Sequence, residues 1–170
     1  HGTHVAGITA GNGSSAGQPC SGVAKNAQIM AVQVFSEIVD ANFCGGTPPC
    51  LGGYTSDVIA GLERVYAVAL AGRNIVSVNM SLGEGAFSEP CDSEPYKPAI
   101  DNLRAIGIAS VVASGNSYNV SQTGSPACVS TAVSVGSTTK DDAVSWFSNV
   151  APFLSLFAPG DSINSSVPGG

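Results

Sequence analysis

Apolar positions along this chain follow two rhythms. Val58, Ile59, Leu62, Val65, Tyr66, Ala69 and Leu70 recur at helical spacing, the signature of one buried helix face. Thr55 or Ser56 is the expected N-cap, Asp57 complements the dipole in the first turn, and Gly72 stops the helix. A further helix is predicted over Pro98–Ile106, with Pro in its first turn and Gly107 as its stop. The opening run also reads as helical and ends in Gly11-Asn12-Gly13-Ser14-Ser15, a composition suited to helix C-caps. Between these lie short runs rich in β-branched residues. Strands are predicted at Gln28–Val34, Asn74–Met80, Ile108–Ala113, Ala132–Gly136 and Phe153–Phe157, with a long loop over 35–54. Strands apolar on both faces, alternating with amphipathic helices, predict a parallel sheet covered by helices. The expected class is α/β, a single domain of three layers with a mostly parallel sheet.

Composition sharpens this picture. Of 170 residues 44% are hydrophobic and 11% charged, enough apolar mass for a core and too little charge for disorder. Small residues (Gly, Ala, Ser, Val) fill the difference and suit close packing of helices on a sheet. The net charge is −6, and the six Lys and Arg are scattered singly, so nucleic acid is not an expected partner. No apolar run approaches the ~18 residues of a membrane span. Cys44 and Cys50 flank a Gly-Gly-Thr-Pro-Pro loop and read as a local disulfide. Cys91 and Cys128 could form a second, and Cys20 is left over for a partner elsewhere in a longer chain. This usage favours an oxidising, extracellular setting, with buried free thiols as the alternative.

The chain opens on His1-Gly2-Thr3-His4-Val5-Ala6-Gly7, with no initiating Met, and is expected to be part of something longer. His1 and His4 share a helix face. Gly2 and Gly7 each cost a helix interior about 1 kcal/mol relative to Ala, which suggests close approach of another group. In parallel sheets, working residues gather in loops beyond the strands' C-terminal ends. Here those loops are Ser81-Leu82-Gly83-Glu84-Gly85 and Ser114-Gly115-Asn116-Ser117.

HGTHVAG at 1–7, NMSLG at 79–83 and ASGN at 113–116 together resemble the subtilisin-like serine proteases, the subtilases. The segments 142–149, 155–160 and 165–170 are similar to that family's too, so the resemblance spans the chain. It implies a partial subtilase catalytic domain over 1–170 that hydrolyses peptide bonds through an acyl-enzyme. His1 then matches the catalytic histidine, and Asn116 matches the side-chain donor of the oxyanion hole. Ser81, Leu82 and Gly83 match the segment that pairs with the substrate backbone, and Gly52, Gly53 and Tyr54 would supply the opposite edge. Ala113, Ser114 and Gly115 would line the specificity pocket, with Ser125, Pro126 and Ala127 nearby.

The family's Asp-Ser/Thr-Gly and Gly-Thr-Ser-Met-Ala motifs do not occur in these residues. The triad's acid and nucleophile are expected beyond the two ends, and this chain alone is expected to be inactive. His4 reads as a packed helix residue. Asp57, Asp141, Asp142 and Asp161 read as turn and capping residues. Asn79-Met80-Ser81 matches a glycosylation pattern at what looks like a buried strand end. Catalysis is expected to need no cofactor or metal; structural calcium is frequent in the family, but no ligands can be assigned. The expected partners are protein or peptide substrates, without nucleic acid or membrane, and the expected state is a secreted monomer. Two other classes stay open: a catalytically dead, subtilase-derived peptide-binding module, and a metal-dependent hydrolase using His1 and His4.

Overall fold

The computed structural model describes residues 1–13 and 21–168, divided into two compact units. One comprises the described parts of His1–Ala31 and Asp161–Gly170, the other Val32–Gly160.

In the smaller unit, helix α1 spans Gly2–Ala10 with His1 as its N-cap. The last carbonyls of a helix need outside donors. Here the N–H groups of Val23 and Ala24 donate to the carbonyls of Ile8 and Thr9 at 2.9 and 2.8 Å. Gly11 ends the helix at the expected place, but with φ −57° rather than a left-handed conformation. Its small size is what matters: a β-carbon there would lie 2.6 Å from the Gly7 carbonyl oxygen. Ser14, Ser15 and Cys20 lie outside the described residues.

The larger unit is built on a four-stranded sheet in the order β3-β5-β7-β8, entirely parallel. Its strands are β3 (Ser77–Met80), β5 (Ala109–Ala113), β7 (Val133–Thr138) and β8 (Leu156–Pro159). Helices α2 (Thr55–Leu70) and α3 (Lys97–Ala105) pack against it. Val58, Leu62 and Val65 of α2 meet Ala99, Ile100 and Leu103 of α3 in one core with Met80, Ile108 and Val112. The mostly parallel α/β class thus stands, as do both long helices. Gly72 and Gly107 end them at φ +92° and +84°, a conformation that glycine adopts at no steric cost.

Several expectations need correction. Tyr54 caps α2, and neither Thr55 nor Ser56 does; Thr55 instead accepts the Tyr96 hydroxyl at 3.3 Å. Leu70 is exposed at the helix end. Gln28–Val34 forms no strand: no ladder pairs it among the described residues, and six of its seven residues are exposed. An apolar run becomes a strand only where a neighbouring edge takes up its backbone groups. The last strand lies at Leu156–Pro159 instead of Phe153–Phe157, and as a sheet edge it is mostly exposed. Phe153 misled because it is a turn residue packed on the core. The 35–54 loop contains a hairpin, β1 (Ser36–Ile38) paired antiparallel with β2 (Cys50–Gly52). A second unforeseen antiparallel pair joins β4 (Glu84–Phe87) to β6 (Thr123–Ser125).

Both expected disulfides form, Cys44–Cys50 and Cys91–Cys128. The second is buried beside α3 and is reinforced by polar contacts. Asp92 accepts both the N–H and the hydroxyl of Ser130, at 2.9 and 2.7 Å. The Ser130 N–H, then its hydroxyl, hold the Asp92 carboxyl below its ordinary value. Lys97 and then the Thr131 hydroxyl do the same for Asp101. The Cys91–Cys128 bridge closes a 37-residue separation, for which loop-closure entropy gives about 4 kcal/mol. Replacing both cysteines by Ala should lower unfolding stability by that order in denaturant titration.

Candidate active site

Parallel pairing sets the site's geometry. Met80 lies opposite Val112 in the β3–β5 ladder, so both strands deliver their following residues to the same end of the sheet. Ser81, Ala113, Ser114, Gly115 and Asn116 consequently line one cavity of about 620 Å³. Its floor is the sheet face opposite α2 and α3, formed by Val111, Val133 and Val135. Asn116 is exposed, and its side-chain amide has no hydrogen-bond partner among the described residues.

The loop that carries Asn116 is held from behind. Gly115 adopts φ +113°, and a β-carbon there would run into the Asn149 side chain. Asn149 is 1% exposed. Its Oδ1 accepts the Ser117 and Asn119 N–H groups at 2.9 and 3.1 Å, and its Nδ2 donates to the Ser114 carbonyl at 3.2 Å. Its own backbone N–H donates to the Gly115 carbonyl at 3.0 Å, and the Ser114 hydroxyl donates to its carbonyl at 2.8 Å. Reading the sequence marked 142–149 only as a similar segment and missed the role of Asn149 in it. Nothing in hydropathy marks it, since the signal is a buried amide 30 to 35 positions from the groups it bonds.

A second cavity, of about 330 Å³, gathers Gly52, Gly53, Leu82, Gly83 and Ser125. The two segments expected to flank a substrate thus face one space. Gly83 fits tightly there, since a β-carbon would sit 3.0 Å from the Ser125 carbonyl oxygen. Pro126 and Ala127 are buried next in sequence. Tyr54 is half-exposed and meets the Phe43 ring at 5.8 Å. Asn79 is exposed, contrary to expectation, because β3 is the sheet's edge; its amide donates to the Ser81 hydroxyl at 3.0 Å.

The histidines belong to the smaller unit. His1 is exposed at the start of α1 and makes no side-chain cap. His4 is half-buried with Nε2 3.1 Å from the Ile163 carbonyl, while its own carbonyl accepts the Ser165 hydroxyl at 2.7 Å. It packs as anticipated. Gly7 permits close approach: a β-carbon there would overlap the Ser165 and Ser166 hydroxyls. Gly2 has nothing within 4 Å and does not share that reason. Among the described residues no group of three or more His, Cys, Asp and Glu could hold a metal ion. Asp57 lies in the first turn of α2, and Asp142 in a turn at φ +59°.

The class that the fold and site define is a parallel α/β sheet covered by helices, with a cavity and an exposed side-chain amide at its strand ends. The sequence profile of the Subtilase family matches residues 1–169, and the chain belongs to that family. It is 40% identical to alkaline serine exoprotease A of Vibrio alginolyticus over 98% of its length, covering 26% of that protein. It is 35% identical to subtilisin-like protease 3 of Arthroderma benhamiae over its whole length, covering 37% of that protein. The chain thus spans about a quarter to a third of these relatives. Among solved structures it resembles a cold-adapted subtilisin-like serine proteinase at TM-score 0.69 and 38% identity, covering 98% of this chain and 50% of the other. The fold is shared with the prenylagaramide maturation protease PagA at TM-score 0.77 and 23% identity, covering 100% and 55%.

Replacing Asn149 by Ala would leave the Ser117 and Asn119 N–H groups without partners, while the Ser114 carbonyl keeps the Gly124 N–H at 2.9 Å. At about 1–3 kcal/mol per orphaned group, partly recovered by water, a loss near 3 kcal/mol is expected in denaturant titration. Faster hydrogen exchange at Ser117 and Asn119 should accompany it.

Proposed function

We propose that the protein containing this chain is a secreted serine endopeptidase that cleaves peptide bonds through an acyl-enzyme. The observation that carries this reading is the convergence of Ser81 and Ala113–Asn116 on one cavity at adjacent strand ends. In the family to which the chain belongs, the same motifs serve peptide hydrolysis.

Each residue then has a defined task. His1 takes the proton from the nucleophilic serine and returns it to the leaving amine; imidazole suits both steps because its ordinary pKa lies near neutrality. Asn116 donates an amide hydrogen to the oxyanion of the tetrahedral intermediate. A neutral donor held in place stabilises developing charge without reorganising during the reaction. Its unpartnered amide, fixed by Asn149 through the loop backbone, fits that task. Ser81–Gly83 and Gly52–Tyr54 pair with the substrate backbone as added strands. Ala113, Ser114 and Gly115 line the pocket for the residue at the scissile bond, and their small side chains leave room there. The acid and the nucleophile are assigned to residues outside these 170. Triad members act as a unit, so this chain alone does not complete the chemistry. The reaction as proposed uses no cofactor, and calcium has no assigned ligands. The working state is a monomer.

The intact protein should hydrolyse peptide substrates and be inactivated by serine-directed phosphonylating reagents. Asn116→Ala should lower kcat on the order of 10²–10³-fold with KM little changed, the range known for this donor within this very family. An unchanged kcat would remove Asn116 from the oxyanion hole, and absence of any hydrolysis by the intact protein would favour a peptide-binding module. The 170-residue chain by itself should take up no phosphonyl label. Stoichiometric labelling of one of its serines, located by mass spectrometry, would overturn the placement of the nucleophile.

A further inference from the structure

Asparagine in an Asn-X-Ser/Thr triplet is the acceptor for N-linked sugar in secreted proteins, provided X is not Pro. The chain holds four such triplets, starting at Asn12, Asn79, Asn119 and Asn164. Their settings differ. Ser14 of the first lies outside the described residues. Asn79 and Ser81 both line the 620 Å³ cavity, and the Asn79 amide already donates to the Ser81 hydroxyl at 3.0 Å. A sugar on Asn79 would fill the space that the proposed chemistry uses. In the Asn164 triplet the Ser165 hydroxyl is tied to the His4 carbonyl at 2.7 Å, and the Ser166 hydroxyl packs against Gly7.

Asn119-Val120-Ser121 lies in the surface loop between β5 and β6, with Val120 and Ser121 exposed. Its backbone is fixed. The Asn119 N–H donates to Asn149 Oδ1 at 3.1 Å, and the Asn119 carbonyl accepts the Val150 N–H at 2.7 Å. The side-chain amide, by contrast, has no hydrogen-bond partner among the described residues. Asn119 belongs to neither cavity wall. A substituent on its Nδ2 thus breaks no bond and blocks neither cavity.

The surface beside this amide is apolar. Tyr118, Val120 and Trp146 are 65%, 73% and 75% exposed. The Tyr118 N–H donates to the Phe147 carbonyl at 2.9 Å, which brings the loop alongside Trp146. Phe147 meets the Trp146 ring edge-to-face at 5.7 Å, an arrangement that aromatic pairs favour. Clustered exposed apolar side chains mark a surface that something covers. Sugar suits this one, because the C–H faces of pyranose rings stack on aromatic rings while their hydroxyls stay in water.

We propose that Asn119 carries an N-linked glycan whose first sugars lie over Tyr118, Val120 and Trp146. The inference rests on the secreted reading above. In the transfer, Asn119 Nδ2 attacks C1 of the first N-acetylglucosamine of an oligosaccharide carried on a lipid diphosphate. The Nδ2–C1 bond forms and the C1–O bond to phosphate breaks. The lipid diphosphate leaves with the bonding pair, and one amide proton passes to a base of the transferase. Nothing is oxidised or reduced. Ser121 supplies the hydroxyl that the triplet requires.

The test uses the intact protein secreted by a eukaryotic host that attaches N-glycans, with each triplet followed by peptide mass spectrometry. Amidase release of the sugar in heavy-oxygen water should convert Asn119, and not Asn79, to labelled Asp. Asn119→Gln and Ser121→Ala should each abolish the label at that position, and Ser121→Thr should keep it. An unlabelled Asn119 in protein recovered from the medium overturns the site, and a labelled Asn79 overturns the choice between the two. Covering is read by comparing the glycosylated protein with Asn119→Gln. The variant should bind an apolar fluorescent dye severalfold more strongly, and adding Trp146→Ser should reverse the gain. Equal dye binding with and without the sugar overturns the covering role. If none of the protein leaves the cell, the secreted reading fails and this inference with it, a result distinct from the others.

Discussion

The register of β3 against β5 is the constraint on which the larger unit's chemistry depends. With Val78 opposite Ser110 and Met80 opposite Val112, two strands far apart in sequence end side by side. A slip of one residue would turn Val112 out of the core and Val111 into it, because side chains alternate along a strand. It would also move Ser81 away from Ala113. The core is therefore what aligns the cavity. Ile100, Leu103 and Val112 are fully buried on the helix-covered side, and they hold the register that the opposite, half-buried face uses.

Alignment of strands does not by itself present a side chain. Asn116 follows a glycine at φ +113°, a backbone that would relax if nothing held it. The buried Asn149 amide supplies what a regular ladder would otherwise supply, accepting two N–H groups and donating to one carbonyl. Because these bonds run to backbone atoms, the identities of Ser117 and Asn119 matter less than their positions. A buried amide that is fully satisfied is rigid, whereas one missing a partner is costly. Rigidity at Gly115 is thus obtained from a residue that never reaches the cavity's working end.

Elements governed by local pattern were legible in the sequence, and those governed by pairing were not. The two long helices of the larger unit appeared within a residue or two of their observed bounds, because amphipathic spacing and stopping glycines are local signals. Three of the predicted strands were placed for the same reason. Gln28–Val34 has a strand's composition and lacks a strand's partner, a fact that no local window contains. β4 and β6 are the converse: Glu84–Phe87 and Thr123–Ser125 carry little hydrophobic signal and are strands because each has the other. At the candidate site, Ser81 and Ala113–Asn116 share one cavity, and Gly52, Gly53, Leu82 and Gly83 share the other. Ser125, expected beside the first, lines the second, and His1 belongs to the smaller unit. The bonds of Asn149 to the loop, and the place of Phe43 in the wall of the second cavity, depend on long-range folding that no local window contains.

The small residues that fill the composition turn out to be structural connectors. Ser134 bonds Ser155 through both hydroxyls, at 3.2 Å, and the Ser155 N–H donates to Ser134 Oγ at 3.0 Å. The Ser137 and Ser145 hydroxyls lie 2.7 Å apart, and Ser148 accepts the Ser137 N–H at 2.9 Å. Each hydroxyl can donate once and accept twice, so one serine can close a loop onto a strand without the volume of a larger side chain. That is why hydropathy understates the order of 134–155: it scores serine as surface, while Ser134, Ser145 and Ser148 are 2–3% exposed. Ser110 Oγ and Thr123 Oγ1 are buried without partners among the described residues, so not every buried hydroxyl is a connector. The serines that do connect hold the β7–β8 end of the sheet to the turn around Asn149. Through that turn they support the strand end from which Asn116 projects.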